Sequence, residues 1–254
     1  MFVLVSPAKK LDFDAPAPFT THTTPEFLND SNKLITQLKK LTKKEIAELL
    51  KISENLAELN YKRYRSFKLP FTIKNSKQAI YAFKGDTYVG LDAESLNEDE
   101  ISYAQKHLRI LSGLYGCLAP LDLIQAYRLE MGTNFKTKGA SNLYAYWQDK
   151  VTKSVNKAAK NNEYLVNCAS KEYFSAIDQS TLTPELIDPK FLVNKNNEFK
   201  VIGIYAKKAR GALARYIIKN KAKRLSDLYE FNDLGFKYCK TRSSGNSLVF
   251  TKKN

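Results

Sequence analysis

Histidine and cysteine are almost missing from this chain. Two histidines, His22 and His107, and three cysteines, Cys117, Cys168 and Cys239, are spread through 254 residues with no CxxC pair. That scarcity argues against a histidine-rich metal centre, a zinc-ribbon spacing or a disulfide framework. Long apolar runs are missing as well: none approaches the ~20 residues that a membrane-spanning helix needs. The opening MFVLVSPAKK has too short an apolar core for a secretion signal and reads as a strand. The chain is therefore expected to be cytoplasmic, with no membrane partner. No Walker A loop, GxGxxG or GxSxG occurs, and no Cys/His couple suggests itself. Catalytic residues thus stay unassigned, and no cofactor or metal is expected. Direct iron binding finds no ligand spacing, an all-carboxylate site being the one form left open.

What the chain has in excess is positive charge: 41 Lys and Arg against 26 Asp and Glu, a net +15. Such a balance concentrates polyanions, of which nucleic acid is the commonest in cytoplasm. A solubility bias toward lysine is the alternative that composition leaves open. Distribution favours the first reading. KVIGIYAKKARGALARYIIKNKAKR, Lys200 to Arg224, carries nine cations and no Asp or Glu. It reads as an apolar strand running into a helix over Lys207–Lys219. At 100° per residue, Ala209, Leu213, Tyr216 and Ile217 face the core, while Lys208, Arg215 and Lys219 stack elsewhere with Gly211 beside them. Exposed helix faces gain about 0.2–0.5 kcal/mol from each i,i+4 ion pair. A helix that forgoes them all points to an external anion, admitted by the glycine and by the helix's N-terminal turn. A second basic cluster, Lys33 to Lys68, holds ten cations against four acids. It reads as two capped helices joined by KISEN, either a plain helical hairpin or a helix–hairpin–helix that meets phosphate through backbone N–H groups.

Start and stop signals organise the remainder. Thr24 and Pro25 predict a helix from Pro25 to about Lys40. Capping boxes at Thr42/Glu45 and Asn97/Glu100 open two more, the second running through EDEISYAQKHLRILSG to Gly113. Ser53 opens the helix between them. QAIYAFKGDTYVGL reads as strand and turn, AYRLEMG and YLVNCA as strands, LYAYWQDKVTKSVNKAAK as a long amphipathic helix. FLVNKNNEFKVIGIY and FKYCKTRSSGNSLVF read as hairpins. The expectation is one α/β domain over 1–254 with a mixed sheet, flanking helices and a helical hairpin insertion at about 25–70.

Four segments gather polar residues at expected strand ends, where α/β sheets build ligand sites. SPAKKLD offers Ser6 and Lys9; FKGDTYVGL offers Lys84, Asp86 and Tyr88. RILSGLYGCLAPLDLIQAYRLEMG offers Arg109, Ser112, Arg128 and Glu130, and NCASKEYF offers Ser170 and Tyr173. Together with Lys207, Lys208, Arg210, Arg215 and Lys219 these are the candidate site residues, the cations for anion binding and the others for a polar cleft. Carboxylates among them repel a phosphodiester, so an enzyme acting on a nucleotide or another phosphorylated small molecule is the alternative to a DNA-binding protein.

SPAK.LD, AFKGD.Y.GL, LRILSGLYG.L.PLDLI..YRLEMG, AS.EYF and YAKKARG...R.I resemble the YaaA peroxide-stress-response family nearly end to end. The resemblance implies a cytosolic bacterial protein induced by hydrogen peroxide that limits free iron and the oxidative damage it causes. It also implies an α/β fold with a helix-hairpin-helix element and a basic cleft that binds double-stranded or bubble DNA without sequence preference. No protein partner is implied, and a monomer is expected. Lys10 replaces the usual Thr of the first motif, Ala119 an Arg, and Ala126 a Pro.

Overall fold

The chain opens with Phe2–Val5 (β1), four residues that are all fully buried. A strand covered on both faces belongs inside a sheet flanked by helices, and the computed structural model, which describes residues 1–253, places it there. β2 (Lys10–Leu11) follows, then the helices α1 (Leu28–Leu38), α2 (Lys43–Leu50) and α3 (Glu54–Ser66). Next come β3 (Lys77–Gln78), a single helical turn α4 (Ala79–Ala82), β4 (Phe83–Lys84), α5 (Asp86–Leu91) and α6 (Glu98–His107). The middle of the chain supplies β5 (Leu108–Ser112), β6 (Gly116–Leu118), β7 (Leu123–Ile124), α7 (Leu143–Ala159), β8 (Tyr164–Cys168) and α8 (Lys171–Phe174). The last part holds β9 (Glu185–Ile187), β10 (Lys190–Lys195), β11 (Glu198–Lys200), α9 (Gly203–Asn220), β12 (Lys237–Tyr238) and β13 (Val249–Lys253).

The five-stranded sheet runs β6-β5-β1-β8-β9, with β5, β1, β8 and β9 parallel and β6 antiparallel at one edge. A second sheet, β11-β10-β13-β12, is also mixed, and β2-β4 and β3-β7 form short antiparallel ribbons. The fold is α/β with mixed sheets, as expected. One continuous apolar core joins β1, α1–α3, the tyrosines of the central segment and α9.

Both expected capping boxes form, Thr42 with Glu45 and Asn97 with Glu100. The β10–β11 hairpin turns on Asn196 and Asn197, both left-handed, as such two-residue turns require. Elsewhere tertiary pairing overrides local signals. The helix expected from Pro25 starts three residues later, because Thr23 is held extended by backbone bonds to Leu121 and Leu123. The helix expected to reach Gly113 stops at His107, since Leu108–Ile110 pair in register with Val3–Val5. QAIYAFKGDTYVGL is not one strand: Gln78 pairs with Leu123 and Lys84 with Lys10, so the run must bend between two partners, and Asp86–Leu91 is helical. AYRLEMG is irregular backbone. VIGIY is not a strand either, because α9 begins at Gly203.

α5 and α9 touch backbone to backbone. A Cβ on Gly211 would sit 1.8 Å from the Thr87 carbonyl oxygen, and one on Gly90 would sit 1.9 Å from that of Lys208. Gly211 therefore serves helix packing, not the approach of an external phosphate. Gly211→Ala should destabilise by about 1–3 kcal/mol through overpacking, read as a lower urea midpoint. Gly203→Ala, where a Cβ meets nothing within 4 Å, should leave the midpoint unchanged or raise it by up to about 1 kcal/mol equivalent.

Candidate anion-binding cleft

β1 and β8 are parallel neighbours, with Val5 opposite Cys168, so the residues leaving their C-terminal ends meet. The Ser170 N–H donates to Ser6 Oγ at 2.8 Å, and the Ser6 hydroxyl lies 3.3 Å from Ser170 Oγ. Tyr88 of α5 donates its hydroxyl to the Ser6 carbonyl at 3.1 Å, which seats α5 over the end of β1. Above these strand ends opens a cleft of about 410 Å³. The loop after β1 lends it Lys9 and Lys10, the β4–α5 junction Lys84 and Asp86, and the irregular segment Glu130. α8 contributes Glu172 and Tyr173, and the first half of α9 contributes Lys207 and Arg210.

Nine of the candidate residues thus share one wall or another of the cleft: Ser6, Lys9, Lys84, Asp86, Glu130, Ser170, Tyr173, Lys207 and Arg210. The others lie elsewhere. Arg109 donates to the carbonyls of Gln105 and Leu108, at the opening end of β5. Ser112 is fully buried, accepting the N–H groups of Leu114 and Tyr115 and sharing a 2.6 Å bond with Tyr127. Arg128 grips Glu130 Oε1 through Nε and Nη2, each at 3.0 Å. Tyr88 acts through Ser6, as described, and Lys208 lies half-buried one turn along α9. Arg215 donates to the carbonyls of Leu91 and Asp92 at the end of α5, and pairs with the Asp92 carboxylate at 3.4 Å. Lys219 pairs with Glu100 at 3.5 Å. The absence of acids within α9 therefore does not leave these two cations unpaired: α6 and the residue after α5 supply the acids.

Sequence reasoning left Lys10, Glu172 and Cys168 out of the candidate set. Glu172 accepts the Gly132 N–H at 3.0 Å and so ties α8 to the irregular segment; its position between Ser170 and Tyr173 was the available signal. Cys168 had none, since a buried strand end looks like core.

The charges in the cleft differ in how far they are already answered. Lys84 bonds Glu94 and lies 3.7 Å from Asp12; the bond to Glu94 first, then these charges, hold its pKa above the ordinary lysine value. Glu130 Oε1 takes Arg128 and, at 3.4 Å, Lys9. The phenols of Tyr88, Tyr127 and Tyr173 are pushed up by burial and keep their protons at neutral pH. Arg210 stands apart. Arg63, Arg65, Arg109, Arg128, Arg215 and Arg224 each hydrogen-bond a protein group, and Arg242 lies over the Phe199 ring. Arg210 has no such partner among the described residues, and its Nε is buried.

Burial lifts the thiols of Cys117 and Cys168 to about 12, far above the range where a thiolate forms at neutral pH. Native protein at pH 8 should therefore react with a maleimide, or with hydrogen peroxide, only at Cys239, which is partly exposed. Counting modified thiols by intact-mass spectrometry before and after denaturation checks this, one and three being the expected numbers.

A family model described as peroxide stress protein YaaA matches residues 1–242. A UPF0246 protein of Shewanella woodyi is 49% identical over 255 residues, covering 100% of both chains. One from Flavobacterium psychrophilum is 47% identical over 252 residues, covering 99% of this chain and 100% of its own. One from Aliivibrio fischeri is 46% identical over 255 residues, covering 100% and 98%. Among the described residues no helix is long and apolar enough to cross a membrane. The chain belongs to the peroxide stress protein YaaA family, and a general role in peroxide stress goes with that membership.

Proposed function

We propose that this member of the peroxide stress family binds DNA without sequence preference, its phosphates entering the cleft at the ends of β1 and β8. In this reading the protein works as a cytoplasmic monomer and limits iron-driven damage by occupying the DNA, not by an enzymatic step.

The observation that carries the proposal is Arg210. A guanidinium presents five N–H donors, and a buried one left unanswered, as Nε is here, costs free energy. Its planar fork matches two oxygens of a phosphate at once. Lys207 projects from the previous turn of the same helix, while Lys9, with 68% of its side chain exposed, stands on the facing loop. Lys10 extends this basic rim. Of the three carboxylates in the cleft, Glu130 is partly neutralised in place by Arg128 and Lys9.

The α2–α3 pair is the second contact in this reading, as the family resemblance implies. Its turn contains Lys51 in the left-handed region, and Ser53 leaves the first N–H groups of α3 without a side-chain cap. Lys40, Lys44 and Lys51 are exposed there, while Lys43 and Lys62 are drawn to Glu58.

Fluorescence anisotropy of a short labelled duplex across a salt series tests the reading. The slope of log affinity against log salt should fall by about 1.8 in Lys207→Ala/Arg210→Ala, about 0.9 for each lost phosphate contact. Arg215→Ala/Lys219→Ala should keep the wild-type slope while lowering Tm, because those cations serve α5 and α6. Affinity that ignores salt, or no affinity at all, would sink the proposal.

A further inference from the structure

Glu130 is satisfied on one side only. Its Oε1 receives the Arg128 guanidinium and Lys9, but its Oε2 is buried and has no partner among the described residues. Glu130 and Arg210 line the same cleft. The two groups ask for opposite things: Arg210 needs acceptors, and Oε2 needs a donor. A phosphodiester backbone brings acceptors alone, so it answers the first and leaves the second buried and unpaired.

We infer that the cleft holds one nucleotide, its phosphate on Arg210 and an N–H of its base on Glu130 Oε2. The inference rests on the reading of Arg210 as an anion site given above. The remaining walls favour a base over other phosphorylated ligands. Pro7 and Ala8 present apolar surface beside the edge of Tyr173, against which a flat heterocycle packs and the hydroxyls of a sugar phosphate do not. A volume of about 410 Å³ falls in the usual range for small-ligand sites, roughly 300–1,000 Å³.

The acceptor at Oε2 also sets a preference. Guanine offers adjacent imino and amino donors, and cytosine an amino donor of the kind that Glu accepts elsewhere. Thymine offers a single imino N–H flanked by two carbonyl oxygens, which a carboxylate repels. The chemistry is the same for a free mononucleotide and for an unpaired position in a strand.

Isothermal titration with inorganic phosphate, dGMP, dTMP and the short single strands dG6 and dT6 separates these sources. Wild-type protein should bind dGMP about tenfold more tightly than dTMP, and phosphate more weakly than either. Arg210→Ala should abolish nucleotide binding, whereas Glu130→Gln should narrow the dGMP/dTMP ratio to about twofold or less. Wild-type-like circular dichroism would show that Glu130→Gln is folded; if it is not, the dGMP/dTMP ratio of the wild type stands as the test. A void of about 20 Å³ lies beside Glu130, room enough for one water. If water alone satisfies Oε2, wild-type protein will not distinguish dGMP from dTMP, and the inference fails. It fails too if phosphate binds as well as dGMP, or if no mononucleotide binds while duplex DNA keeps its Arg210-dependent salt slope; the DNA reading survives that last result. Nucleotide binding without duplex binding sinks the DNA reading instead. Competition by dG6 with dGMP would assign the site to a strand, and dGMP binding without dG6 binding to a free metabolite.

Discussion

The contact between α5 and α9 is the constraint on which the site depends. Two helices approach this closely only where neither has a side chain, and Gly90 and Gly211 are placed so that each lies under the other helix's carbonyl. Because α5 begins at the cleft and α9 crosses it, the same contact sets Asp86 on one side and Lys207 with Arg210 on the other. Arg215 secures the crossing by closing the carbonyls at the end of α5, and Tyr88 secures it from beneath through Ser6. Packing and cleft lining are thus divided along one helix: the stretch that carries Gly211 and Arg215 holds the structure, and the turn before it faces the cleft.

That division explains how a strongly cationic chain avoids a uniformly repulsive surface. Several of its cations are committed to acids brought from distant parts of the sequence, as in Lys150 with Asp30 or Lys219 with Glu100. Others cap carbonyls or lie over aromatic rings, as Arg65 lies over Tyr61. Of the cations without an acid partner, Lys10, Lys207 and Arg210 lie together where strand ends, a loop and a helix meet, and a low-dielectric wall there strengthens their field.

Much of this was legible in the sequence, and the limits have physical causes. Capping boxes are local, so Thr42 and Asn97 announced their helices correctly. That the strand ends SPAK and NCAS border one cleft was readable, because short buried strands followed by polar residues are a pattern of α/β sheets. LRILS was misread as helix because its apolar spacing suits either structure; only the partner strand β1, about a hundred residues earlier, decides between them. The stack of Lys208, Arg215 and Lys219 was geometrically sound but chemically incomplete, since the acids that answer Arg215 and Lys219 belong to other elements. Glu130 and Arg210 could be chosen as polar residues near Gly and Tyr, but not as residues each left with a buried atom lacking a hydrogen-bond partner. That is a property of burial.

The register of β1 carries a consequence of a different kind. Its partners are Leu108–Ile110 on one side and Leu165–Cys168 on the other, so β1 gains its first neighbour only once β5 has been made and its second only once β8 has. Long-range pairing of this sort slows folding and exposes an apolar edge in the meantime. The cleft is later still, because α9 must arrive before any of its cations are in place. The site therefore forms only once α9 has packed onto the sheet, and until β5 and β8 pair with it β1 remains a sticky apolar strand.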